Sequence, residues 1–277
     1  MKDIILWVSM PSISLRLLKS FNPVLLWYDC TEDFSAWPGL TSHERKRIED
    51  NDRWLTMNAD VVTTVSRILY EEKKKFNHNA HWLPNAVDTD RFMRPCLTAP
   101  RELRNVQKPI LIFVGALNEW AHDWGMLDEV ATLRPDWTIL LVGGLSVAKK
   151  TRRMLQSHPN IICAGQKPYQ ELPGYLAHSD VCFQFYRSTR INETRNSQKI
   201  FLYFAAGKPI VSTPSADAET YREHVKLAGN ASEFILQTEK ALNDWTNEEE
   251  KMRINLAMRN SWNQRAAAIV QLFEEVL

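Results

Sequence analysis

PILIFVGAL, from Pro109 to Leu117, is the stretch on which the fold turns. Its apolar run is unbroken from Ile110 to Val114 and then meets a glycine. A short continuous apolar run closed by a turn residue reads as a strand buried in a sheet. The same pattern returns in DWTILLVGG (Asp136–Gly144), and shorter apolar runs follow in NIICAG, DVCFQFY and KPIVST. Between them lie helical patterns: His122–Leu133, a segment after Gly144, YQELPGYLAHS, and NSQKIFLYFAAG. Strands alternating with helices in this way predict a parallel sheet covered on both faces.

Toward the N-terminus the alternation repeats. IILWVS, VLLWYD and ADVVTTVS read as strands. Ser12–Lys19, Thr41–Asn58 and Arg67–Phe76 read as helices, with a loop CTEDFSAWPG after the second strand. HWLPNAVDTDRF closes this series. A proline- and charge-rich connector then marks a domain boundary. The expected organisation is therefore an N-terminal domain over 1–84, a linker over 85–108 and a C-terminal domain over 109–260. A closing helix over 261–277 would pack back toward the N-terminal domain. The fold class is α/β, with two Rossmann-like parallel-sheet domains.

Bulk properties narrow the function. A chain of 277 residues with 44% hydrophobic and 24% charged residues suits two modest globular domains. The net charge of +1 gives no global field that would draw nucleic acid. Arg45–Arg47 and Lys73–Lys75 read as solvated helix faces, with contact to an anionic membrane surface as the other reading. Cys30, Cys96, Cys163 and Cys182 lie far apart, which argues against a zinc site or disulfide framework and fits a reducing cytoplasm. No apolar run approaches the roughly 20 residues needed to span a bilayer.

In open parallel sheets, ligands bind beyond the carboxyl ends of the strands. Gly115 and the pair Gly143–Gly144 stand at such ends, where a missing side chain lets backbone approach a ligand. Neither forms the G-x-G-x-x-G dinucleotide fingerprint. The other reading is a tight strand-to-helix turn. In NSQKIFLYFAAGKPIVST (Asn196–Thr213), Asn196 is expected to cap a helix, which puts Lys199 at its third position. A lysine there opposes the helix dipole. A bound diphosphate would neutralise it and engage the open N–H groups together. Alternatively the lysine reaches solvent while its stem packs.

Taken in order, these motifs resemble the GT-B glycosyltransferases of the broad family-4-like group, the teichuronic acid and exopolysaccharide type. VLLWYDCTEDFSAWPG, NADVVTTVSRILYEEKKKF and HWLPNAVDTDRF resemble its N-domain segments and linker. FVGALNEWAHDWGML, GQKPYQELPGYLAHSDVCFQFY and NSQKIFLYFAAGKPIVST resemble its donor-domain segments, and SWNQRAAAIVQLF its closing helix. The resemblance implies two Rossmann-like domains with a cleft between them. The C-terminal domain would hold a UDP- or GDP-linked nucleotide-sugar, with Lys199 on the diphosphate and no metal or other cofactor. Gly115, Asn118 and Trp120 would lie against the donor with Asp123 beside them. Tyr169 and Gly165 would border the base pocket, Gly143 would lie at the donor, and Asn196 and Ser197 would place the helix start. The acceptor would be a cell-envelope glycan or polyprenyl-linked glycan, handled at the cytoplasmic face of the membrane.

Among the acids after the second strand, Asp29, Glu32 and Asp33, the pair Asp33 and Glu32 is the preferred candidate base for an acceptor hydroxyl. Capping of turns is the other reading. Asp88-Thr89-Asp90 spells Asp-x-Asp, a metal signature in another glycosyltransferase fold, but its setting resembles the GT-B linker. Two departures stand out. Leu202 occupies the place of a glutamate that bonds the donor ribose in the family, so either another group such as Glu193 or Gln198 takes over, or the donor differs, or the site is weakened; Gln184 replaces a proline. The family also begins with a further strand-helix series. An N-terminal domain without it would be incomplete and would suit a partner chain that completes the sheet. The alternative function is thus a weakened or non-catalytic sugar-nucleotide-binding module.

Overall fold

The computed structural model describes residues 4–93 and 98–277, so Cys96 lies outside the described residues. The chain divides into two compact units. One comprises Met1–Asn85, Thr189–Asn196 and Trp262–Leu277; the other comprises Ala86–Ser188 and Ser197–Ser261. Residues 86–108, read from sequence as a linker, thus belong with the second unit. Thr189–Asn196, read as part of the C-terminal domain, belongs to the first.

The first unit is built on β1 (Ile5–Val8), β2 (Leu25–Cys30), β3 (Val61–Thr64) and β4 (Ala80–Trp82), all parallel and in sequence order. Helices α1 (Leu15–Ser20), α2 (Ser42–Asn58) and α3 (Arg67–Lys73) connect them. Helix α2 starts where Thr41 and Glu44 form a reciprocal capping box, which satisfies two N–H groups that a helix start leaves open. The core joins Leu26, Tyr28 and Val62 to Leu18, Leu55 and Leu69 of the three helices. On the other face, Leu25, Trp27 and Val61 pack against Ile269 and Phe273 of the closing helix. Side chains that alternate along β2 therefore feed both faces, as the period of two requires.

In the second unit, α4 (Thr89–Phe92) precedes β5 (Ile110–Val114), β6 (Leu117–Asn118), α5 (Trp124–Leu133) and β7 (Thr138–Val142). Next come β8 (Leu145–Ser146), α6 (Lys149–Ser157), β9 (Ile161–Gly165), α7 (Leu172–Ala177) and β10 (Val181–Gln184). The chain then forms α8 (Arg190–Thr194) within the first unit. It returns to the second for α9 (Gln198–Ala205), β11 (Ile210–Ser212), α10 (Ala216–Thr220), β12 (Lys226–Leu227), α11 (Ala231–Asn243) and α12 (Asn247–Arg259). Helix α13 (Trp262–Glu274) is the closing helix, in the first unit. A six-stranded parallel sheet runs in the order β12-β11-β10-β5-β7-β9. Ile110, Ile112 and Val114 join α9 in one core cluster; Leu111 and Phe113 join α5 and α11 in the other. All five residues of β5 and of β7 are buried, as strands covered on both faces must be.

Several elements differ from the sequence reading. Strand β4 was not expected: it has three residues, too few for alternation to show. Four helices rather than two follow β11, because α10 and the α11–α12 break are set by the local caps Ser215, Asn230 and Thr246. Lys73 is not on a solvated face. It is 9% exposed and ion-paired with Asp52, whose other oxygen accepts from the Tyr28 hydroxyl at 2.5 Å.

Candidate functional site

Strands β5 and β7 end side by side at Gly115 and Gly143. Both glycines have positive φ, +139° and +154°. Each is required by what crowds it. A Cβ at Gly143 would stand 1.9 Å from the Gly115 carbonyl oxygen, and a Cβ at Gly115 would stand 2.8 Å from Lys199 Cε and 3.0 Å from its Nζ. The two turns open on a cavity of about 280 Å³, closed on its other side by Gln166, Lys167 and Leu172.

Lys199 reaches the Gly115 turn from the first turn of α9, without lining the cavity. Ser197, not Asn196, is the N-cap, so Lys199 is the second helical residue. Asn196 instead exchanges hydrogen bonds with Asn85: its Oδ1 accepts from the Asn85 N–H at 2.9 Å and its carbonyl from Asn85 Nδ2 at 2.7 Å. Lys199 is 9% exposed, which rules out the reading of a solvent-reaching lysine. Its Nζ donates to the Tyr186 hydroxyl at 2.5 Å and lies 4.6 Å from the Phe113 ring centroid and 5.1 Å from that of Tyr186. Ring faces at that range attract an ammonium.

The start of α9 already holds a carboxylate, contrary to the expectation of open N–H groups. Asp217, 1% exposed, accepts from the Ser197 N–H at 3.2 Å, the Ser215 hydroxyl at 2.6 Å and the Ala218 N–H at 3.0 Å. An anion there suits the helix dipole and offsets the cost of a lysine in the first turn. Tyr186 and Asp217 were not singled out by sequence reasoning. Asp217 had a weak signal, lying just past the carboxyl end of β11, where ligand-side residues gather.

Other predicted residues fall at varied distances from the cavity. Asp123 caps α5, its Oδ1 accepting from the Met126 N–H at 3.0 Å. Asn118 ends β6, and among the described residues its buried Oδ1 has no partner. Trp120 is half-buried in the turn that follows. Gly165 has φ +71° and its carbonyl accepts from the Gly143 N–H at 2.9 Å, so it buttresses the turn without lining the cavity. The Tyr169 ring packs edge-on against Phe92 at 5.1 Å. Leu202 is 5% exposed in the core cluster under α9. Of its suggested replacements, Glu193 is exposed in the first unit and Gln198 is half-buried at the first helical position. Gln184 is fully buried and bonded to Ser212 at 3.1 Å. Asp88 caps α4 and pairs with Arg91, and no group of three or more metal-ligating side chains gathers among the described residues.

His122, also missed, is wholly buried among Phe113, Phe185, Trp124 and Tyr186, and its Nδ1 meets the Asn118 N–H at 3.2 Å. Lys167 is a second cation beside the cavity. It pairs with Glu102, which also accepts from the Tyr175 hydroxyl at 2.9 Å. The Lys167 ammonium chiefly, with the Tyr175 hydroxyl, holds the Glu102 carboxyl down to about 2, against an ordinary 4.5. A depressed carboxyl stabilises the fold fully above its unfolded pKa, and that contribution fades as pH falls toward the folded one. Replacing Glu102 by Gln should therefore cost up to about 1 kcal/mol at neutral pH. In urea unfolding the difference from wild type should hold down to about pH 4.5 and fall to roughly half by pH 3. An equal difference at both ends would show that the pair does not contribute through charge.

In the first unit, Asp33 and Glu32 line a cavity of about 170 Å³ with Asp52, Glu72 and Lys73. Burial alone would raise the Asp33 carboxyl, but the Ser35 hydroxyl and the Arg190 guanidinium, 2.7 and 2.9 Å away, outweigh it and hold the carboxyl below its ordinary value. Arg190 also pairs with Glu72 at 2.7 Å. Glu32 accepts from Trp37 Nε1 at 3.0 Å. Asp29 behaves oppositely: burial raises it despite a 2.8 Å bond from Thr63.

Two parallel-sheet units, with a buried lysine against a glycine turn at the carboxyl end of a central strand, give the chain the GT-B architecture of its structural neighbours. Residues 108–244 match the family described as glycosyl transferases group 1, and they form a domain of that kind. TuaH of Bacillus subtilis (strain 168), provisionally named as a teichuronic acid biosynthesis glycosyltransferase, is 28% identical over 275 residues, covering 93% of this chain and 68% of TuaH. Sucrose-phosphate synthase from Thermosynechococcus elongatus superposes with a TM-score of 0.75 at 15% identity, over 98% of this chain and 73% of that one. Anabaena Alr3699/HepE, in complex with UDP-glucose, gives 0.73 at 15% identity, over 98% and 78%. WaaG, a glycosyltransferase of lipopolysaccharide biosynthesis, gives 0.65 at 13%, over 92% and 80%. The matches favour a transferase over a non-catalytic module. Among the described residues no helix is long and apolar enough to cross a membrane.

Proposed function

We propose that this transferase uses a UDP- or GDP-linked sugar and passes the sugar to a cell-envelope polysaccharide or lipid-linked glycan at the cytoplasmic face of the membrane. The observation that carries the donor half is the Lys199 amine, buried against Gly115 beside the glycine-turn cavity. HepE, of like fold, is described with UDP and with UDP-glucose. TuaH, whose provisional name refers to teichuronic acid, supports an envelope glycan as acceptor.

In this reading the diphosphate lies over the Gly115 turn and takes hydrogen bonds from the Lys199 ammonium. Negative charge builds on the leaving nucleotide as the glycosidic bond breaks. A fixed cation in a partly dry site stabilises that charge without reorganising, so the step needs no metal. Phe113 and Tyr186 hold the amine in place beforehand. On the acceptor side, Asp33 would serve as base only weakly, since Arg190 favours its ionised form. Glu32 is the alternative.

The test is release of free nucleotide from UDP- and GDP-sugars, with and without a polyprenyl-linked glycan, in buffer containing a chelator. Release that depends on acceptor and survives chelation is expected. Nucleotide binding without release for any donor–acceptor pair would instead support the sugar-nucleotide-binding module, the reading that buried, apolar Leu202 favours.

A further inference from the structure

The second unit has another cavity of about 280 Å³, at the amino-terminal ends of β11 and β12. Because the strands are parallel, this is the opposite end of the sheet from Gly115 and Gly143. Its lining includes Arg222, His224, Lys226 and Arg253, with the carboxylates Glu223 and Glu249. Arg253 is 5% exposed. Its Nε donates to the Gly207 carbonyl at 3.0 Å, and its Nη1 stands 3.7 Å from Glu249, beyond hydrogen-bond range. Nη2 is cut off from solvent, and among the described residues it has no hydrogen-bond acceptor.

A guanidinium stays protonated in a protein, so its burial cannot be relieved by losing the charge. Leaving one of its donors unsatisfied costs more than an ordinary polar contact returns. Buried polar atoms are nearly always paired, and an exception asks for an explanation. The exception belongs to a residue lining a cavity where the guanidinium groups of Arg222 and Arg253 and the ammonium of Lys226, itself 3.6 Å from Asp244, stand with the carboxylates of Glu223 and Glu249. The Glu223 side chain is exposed, and that of Glu249 is 42% exposed.

We propose that this cavity is a binding site for a small phosphate-class oxyanion, with Arg253 as its buried anchor and Arg222 and Lys226 as its outer cations. A small shift of the lining on binding lets one ligand oxygen complete the Arg253 fork at Nη2, in the planar geometry that suits a guanidinium to phosphate. The site is separate from the glycine-turn cavity and does not rest on the donor reading.

The experiment titrates the full chain with inorganic phosphate at constant ionic strength. Calorimetry gives the affinity and the Arg Nε–H resonances report the place. Saturable binding that shifts the Arg253 resonance is expected. The double change Arg222→Ala, Lys226→Ala, at solvent-reaching positions, should weaken it about tenfold, and so should Arg253→Lys. Lys199→Ala should leave it unchanged. Absence of saturable binding overturns the proposal. So does binding that survives the double change intact but disappears in Lys199→Ala, which would place the phosphate at the glycine turns.

Discussion

Replacing Lys199 by Met or Ala should abolish the rise in melting temperature that a UDP- or GDP-sugar gives the wild-type chain. A ligand at a hundred times its Kd stabilises the folded state by about 2.7 kcal/mol. For units of this size that is a rise of about 5–10 °C. Turnover should fall about 10²- to 10³-fold, the usual loss when one donor to a developing anion is removed. Met separates the charge from the stem: it keeps the apolar packing over Phe113 but cannot donate to Tyr186. Burying an ammonium is costly in itself, so the unliganded Met variant should be about as stable as wild type. A full thermal shift with the Met variant would remove the amine from the donor site.

How this site could be seen in the sequence depends on how local each contact is. Ile110–Val114 and Thr138–Val142 announce themselves, because five apolar residues closed by glycine have few other uses. Lys199 drew notice through a conflict with the helix dipole, and Gly115 through its place at a strand end. That both belong to one donor site was implied only by the order of motifs, and that they touch was not foreseen. What resolves the dipole conflict, Asp217, lies 20 residues from Ser197, and nothing in its own neighbourhood points to α9. Tyr186 looks like the last residue of an apolar strand until Lys199 packs on it. The Asp33–Arg190 pair spans 157 positions, so the acid looked free to act as a base when read by itself. Ser197 rather than Asn196 stands at the start of α9, and the Asn196 side chain is taken by Asn85, a contact across 111 positions. Local grammar reveals elements; charge partners need the fold.

The second large effect concerns the two glycines, and it should divide into stability and binding. Alanine at Gly143 puts a methyl group 1.9 Å from a backbone oxygen, where no side-chain rotation relieves the clash. It also demands φ near +154°, which a residue with a Cβ rarely adopts. The turns after β5 and β7 would have to separate, straining the bond from the Gly143 N–H to the Gly165 carbonyl. The expected cost is about 3–5 kcal/mol, read as a drop in unfolding midpoint. Alanine at Gly115 meets only the far end of the Lys199 side chain, 2.8 Å away, which can move. Its stability cost should be about 1–3 kcal/mol, from backbone strain together with displacement of the Lys199 side chain. Its cost in donor binding should approach that of removing the amine, because the amine is displaced. The two changes then act on one contact and cannot be independent. In a Lys199→Ala background, Gly115→Ala should weaken donor binding little further, and its stability cost should shrink to the strain alone. Additive losses in both measurements would mean that glycine and lysine serve the donor separately, and that the close approach of the amine to Gly115 is packing without consequence for the sugar nucleotide.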